Sequence, residues 1–144
     1  MNYTHLEDYV FNLYDSISIK TPDQLNIKHL SKKLNLNIYY GNVSIRFGNN
    51  IILMKSTKEQ QWQKFGHEVC HYLIHCGQQL NMYHLFRDLQ ENQANYFAYH
   101  FCIPTFMLQE LKGVTVIDVM NLFNVEYEFA TRRLEMYKNK LIYA

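Results

Sequence analysis

The sequence has almost no net charge: 14 basic side chains stand against 13 acidic ones, a formal +1. Without a strong field there is little to hold nucleic acid or an anionic membrane surface non-specifically. Long apolar runs are missing too, and no window approaches the ~18 residues of a membrane span. The opening MNYTHLEDYV has no basic stretch ahead of an apolar one, so no secretory signal is read there and a cytoplasmic location is expected. Cysteine is scarce and odd in number (Cys70, Cys76, Cys102), which argues against a disulfide framework and for free, mostly buried thiols. Repeats, linkers and low-complexity stretches are also lacking, so a single domain over residues 1–144 is expected, ending in a helical tail over about 115–144.

What is present suits a packed core: 48% hydrophobic and 15% aromatic residues, with 12 Tyr and 9 Phe. Thr4 and Glu7 fit a capping box ahead of Leu6, Val10, Leu13 and Ile17 at helical spacing, which predicts a helix over 5–16. Thr21-Pro22-Asp23-Gln24 starts a second, short helix ending near Asn35. LNIYY, VSIRF and NIILM, separated by Gly41-Asn42 and Gly48-Asn49, read as a three-stranded antiparallel meander. A long helix over 57–76 carries Trp62, Phe65, Val69, Tyr72 and Leu73 and stops at Gly77. After a loop over 78–86, another helix over 88–102 ends before Pro104, and Thr105 to Leu111 allows a further turn. The pattern is α+β, with a small sheet packed among helices.

Inside the long helix stand His67, Glu68 and His71. Residues four apart share one helical face, so the two imidazoles can converge on a zinc ion at roughly 2.0–2.1 Å from each nitrogen. Glu68 is rotated by about 100° and is placed to act as general base on a bound water. Random order would give this histidine–glutamate spacing in roughly 2% of such chains, so the stronger criterion is a third ligand. His75 lies about 12 Å of helix rise from His67 and cannot share the ion.

Glu91 is the better third ligand. It opens the next helix, and the small Ala94 and Ala98 on nearly the same face let the two helices approach closely. Asn95, one turn after Glu91, is expected to accept from the outward ring N–H of a ligating histidine and fix its tautomer. His100 should face away from the ion. Two imidazoles, a carboxylate and a water leave an open position, and so point to metal-assisted hydrolysis rather than a structural site. Cys70, His71, His75 and Cys76 cannot wrap one ion from a single helix, and Cys70 has no defined base for nucleophilic work. An oxyanion-stabilising donor could be Tyr83, His84 or Arg87.

Phe65-Gly66-His67-Glu68-Val69-Cys70-His71-Tyr72-Leu73-Ile74-His75, followed by Glu91-Asn92-Gln93-Ala94-Asn95-Tyr96-Phe97-Ala98 and Pro104, resembles the ImmA/IrrE family of metallopeptidases. The order of elements agrees over at least residues 22–112, and the one departure near the motif is Gly66 where the family usually has Ala. The resemblance implies a zincin-like fold, with His67, His71 and Glu91 as zinc ligands and Glu68 as catalytic glutamate. It also implies a substrate class: members encoded by phages and mobile elements cleave the helix-turn-helix repressor that keeps the element silent.

The tail itself looks like a helix-turn-helix, about 115–123 and 126–140 joined at Phe123-Asn124-Val125. A protein that binds the repressor or its operator DNA without proteolysis is therefore the rival reading. From Val114 to Ala144, Arg132, Arg133, Lys138 and Lys140 are matched by Asp118, Glu126, Glu128 and Glu135. A DNA reader needs uncompensated cations, so the tail is expected to pack on the domain or hold the repressor.

Overall fold

The computed structural model describes residues 4–74 and 84–143, with side chains over 4–74 and 90–140. Helix α1 (His5–Ser16) is opened by the expected capping box: Thr4 Oγ1 accepts from Glu7 N, and Glu7 Oε1 accepts from Thr4 N. Its Val10 and Tyr14 are buried, and the Tyr14 hydroxyl donates to Phe101 O at 2.6 Å.

The expected second helix is divided. Pro22–Gln24 forms one 3₁₀ turn, Leu25 turns into the core, and α2 (Ile27–Lys33) starts afresh from Asn26, whose side chain accepts from His29 N at 2.8 Å. Asn26 is an N-cap in its own right, and a cap needs extended backbone, which interrupts the helix.

The sheet is three-stranded but not an antiparallel meander. β1 (Asn37–Gly41) pairs parallel with β3 (Asn50–Met54), β2 (Ile45–Phe47) pairs antiparallel with β3, and the order is β1-β3-β2. Gly48, at φ +57°, makes the expected hairpin turn between β2 and β3. Gly41-Asn42 instead begins a crossover past the end of β3, where Lys55 N donates to Gly41 O and Met54 N to Ser44 Oγ. The cause is burial: NIILM is the most apolar strand, its Ile51 and Leu53 are fully buried, and it takes the centre where both edges are hydrogen-bonded.

Helix α3 (Lys58–Leu73) is capped by Thr57 and packs on β2 and β3. Its expected end, with His75, Cys76 and Gly77, lies outside the described residues. Helix α4 (His84–Cys102) starts four residues earlier than Asp88, so the expected loop over 78–86 is helical from His84 onward. Pro104 then caps α5 (Thr105–Leu108).

The tail forms α6 (Val116–Phe123), closed by Asn124 in the left-handed region at φ 55°, and α7 (Tyr127–Tyr143). Val119, Phe123, Val125, Ala130 and Leu134 join the core. Gln63 of α3 holds the α6–α7 junction, accepting from Glu126 N and donating to its carboxylate. The tail therefore packs on the rest of the chain, as expected. Among the described residues, no helix is long and apolar enough to cross a membrane.

Candidate metal centre

Helices α3 and α4 approach each other closely, and small residues explain it. A Cβ added at Gly66 would stand 3.0 Å from Cys102 Sγ and 3.4 Å from Ala98 Cα, while Ala94 and Ala98 are both buried. That approach lets a short carboxylate on α4 reach imidazoles on α3.

His67 Nε2 and His71 Nε2 face each other at 3.2 Å. Glu91 Oε2 lies 2.8 Å from the first and Oε1 lies 3.0 Å from the second. Two donors bound tetrahedrally at roughly 2.0–2.1 Å from one ion stand about 3.3 Å apart, so the spacing fits a small divalent cation. The proton arrangement fits as well. Asn95 Oδ1 lies 2.7 Å from His67 Nδ1 and accepts its proton, which leaves a lone pair on His67 Nε2 directed at the Glu91 carboxylate. A cation at that point relieves the repulsion between these electron pairs. Burial first, then the Lys64 charge, lowers the His67 pKa and favours the neutral ring, the form able to bind a metal, although Glu91 and Asn95 act the other way. Among the described residues, His67, His71 and Glu91 are the group of ligating side chains that converges closely enough to hold a metal ion.

Glu68 lies beside them, 5% exposed. Burial pushes its carboxyl up to about 7, helped by the Glu91 charge and opposed by Lys64 and Arg46. Lys64 stands 3.9 Å away, one helical turn back. Arg46 acts from β2, where strand alternation puts it on the face opposite Ile45 and Phe47 and toward α3. Neither cation belongs to the histidine–glutamate motif, so the motif alone does not point to them. The i, i+4 spacing could have revealed Lys64, whereas Arg46 needs the strand pairing.

His100 is buried on the other side of α4, its Nδ1 against Tyr96 O at 3.1 Å. Burial, then the Arg133 charge, lowers it to about 4, so it is neutral and away from the cluster, as expected. Cys70 is buried and its thiol is pushed up to about 12 by burial and by Glu91, an inert state for a nucleophile. Cys102 is buried as well. Tyr83 and the side chains of His84 and Arg87 lie outside the described residues.

An α+β chain whose α3 and α4 converge two imidazoles and one carboxylate has the form of a metallopeptidase domain. The family model described as Peptidase M78, IrrE N-terminal-like domain, matches residues 23–135, and the chain belongs to that family. It is 38% identical to the phage-like element PBSX protein XkdA of Bacillus subtilis (strain 168), over 95% of this chain and 75% of that protein. It is 36% identical to the uncharacterized protein YqaB of the same strain, over 98% of this chain and 90% of that one. No solved structure matches it.

Proposed function

We propose that the protein is a single-domain, zinc-dependent endopeptidase of the cytoplasm that cleaves a helix-turn-helix repressor and so derepresses a phage or mobile genetic element. The observation that carries this reading is the convergence of His67 Nε2, His71 Nε2 and Glu91 within ligating distance of one point, beside the buried Glu68. His67, His71 and Glu91 hold the ion, and Asn95 fixes the tautomer of His67. A zinc ion bound there supplies a water acidified toward neutrality and a Lewis acid for the scissile carbonyl.

Glu68 does the proton work: its carboxylate takes a proton from the attacking water and later passes it to the leaving amine. Its balance of burial against Lys64 and Arg46 suits both halves of that task, because a group near neutrality can accept and release. The choice of a repressor as substrate draws on the likeness to a phage-like element protein.

Operator binding by the tail has weaker support. Arg133 is buried and donates to Ile103 O and Thr105 Oγ1, both at 2.8 Å, while exposed Arg132 lies 3.4 Å from Glu135. The test is incubation with the regulator encoded beside the gene, with and without chelator and with Glu68→Gln, followed by sequencing of fragments. Cleavage that needs both metal and Glu68 is expected. Binding of the regulator with no cut under any condition would replace this reading by the non-proteolytic one.

A further inference from the structure

Charge is unevenly spread along the chain. Residues 24–58 contain Lys28, Lys32, Lys33, Arg46, Lys55 and Lys58 and no Asp or Glu, so all 13 acidic side chains lie elsewhere. This stretch folds as α2 and the sheet. Between α2 and β1 runs an open groove of about 530 Å³, lined by Lys28, Ser31, Ile38, Tyr39 and Tyr40 among others. Lys28 and Lys32 lie one turn apart on α2 and are exposed. Among the described residues, no carboxylate pairs with either.

Among the described residues β1 has a neighbour on one side only, so the other wall of the groove is an unpaired strand edge. Asn37 N donates to Asn49 O and Gly41 O accepts from Lys55 N, so residues 37, 39 and 41 bond toward β3. In a parallel ladder the backbone groups of Ile38 and Tyr40 then face away from the sheet, toward the groove these residues line. A strand added here would turn alternate side chains toward α2 and its lysines. The intervening ones would extend the outer row in which Tyr39 neighbours Ile52, and Ile52 neighbours Ile45.

We propose that this groove docks an extended protein segment that alternates acidic with apolar side chains, captured by strand addition to β1. The lysines select the acidic set, the exposed Tyr39 takes the apolar set, and the β1 backbone fixes the register. Nucleic acid would answer the charge but leave the strand edge unpaired, and the chain as a whole is nearly neutral. β2, not β1, is the edge that packs against α3, so the docked segment lies apart from the metal-binding cluster. The proposal concerns binding alone and does not depend on proteolysis.

The test is fluorescence anisotropy on the whole chain with a short labelled peptide alternating Glu with Val and Thr, its Lys-for-Glu counterpart, and single-stranded DNA of similar length. The acidic peptide should bind saturably and about ten-fold or more tighter than the basic one. Lys28→Glu with Lys32→Glu should weaken it about ten-fold while circular dichroism and metal uptake stay unchanged. Tyr40→Pro removes an outward N–H at an edge position that tolerates proline, and should weaken binding with charge unaltered. No binding, equal binding of the two peptides, unchanged affinity in both folded variants, or tighter binding of DNA would each overturn the proposal.

Discussion

At the scale of single residues, the proposed mechanism divides the work between neighbours on one helix. Glu68→Gln keeps the shape of the side chain but cannot take a proton, so it should retain one equivalent of metal and lose at least about a hundred-fold in turnover. Metal content by atomic absorption beside a peptide-cleavage assay separates the two effects. Asn95→Ala leaves the His67 ring without its 2.7 Å partner and should weaken metal affinity roughly 10- to 100-fold, read by chelator competition. Gly66 gives a prediction of a different kind. Its α-carbon sits where a methyl would press on Cys102 Sγ at 3.0 Å. Gly66→Ala gains helix propensity but overpacks the α3–α4 seam, for a net loss of about 1 kcal/mol. Adding Cys102→Ala should recover part of it, which a double-mutant cycle in denaturant would measure.

Between elements, a buried polar cluster joins α1, α5 and α7. Glu7 accepts from Lys140 Nζ at 2.6 Å and from the Thr105 hydroxyl, and Arg133 donates to Thr105 and to Ile103 O. Burial alone would raise the Glu7 carboxyl, but hydrogen bonds from Lys140, Thr105 and Thr4 N, with the Lys140 charge, outweigh it and hold it at about 2 against an ordinary 4.5. A depressed folded-state value contributes stability that is complete above 4.5 and is lost as pH falls toward 2. Glu7→Gln should therefore cost on the order of 2 kcal/mol at neutral pH, and the gap to the natural protein should close across that acid window in denaturant melts. Arg133→Ala should cost about 3 kcal/mol, because it leaves buried acceptors unpaired.

Much at this scale was legible in advance. Capping boxes and apolar spacing are local, so α1, α3 and α6 fall close to where the sequence puts them. The sheet order was not, because a glycine–asparagine pair ends a strand without saying which strand comes next to it, and only burial of Ile51 and Leu53 puts β3 in the middle. The role of Arg133 was hidden for a similar reason. Next to Arg132 in the sequence it resembles one of a surface pair, yet helix rotation turns it into the core.

For the whole molecule, metal and fold should be linked. The three candidate ligands come together only when α3 and α4 are packed, so a metal ion held by them would favour the folded chain over the unfolded one. At a free-metal level about a hundred times Kd this adds roughly 3 kcal/mol, and a chelator should lower the melting temperature accordingly, measured by calorimetry. The grouping of His67, His71 and Glu91 was legible because two of the three are fixed by helical spacing and the third by the small residues that follow it. Arg46 was not, since its approach to α3 depends on the strand order that the sequence conceals.

His67 and His71 share one helix, while Glu91 arrives on another, 20 positions beyond His71. An ion gripped by all three would thus be a tether across the stretch of chain between the two halves of the centre, comparable in topology to a cross-link. Its departure should be felt as motion: backbone amides in the first half of α4 would lose protection from deuterium exchange, while those of β3, held by ladders on both sides, would keep theirs.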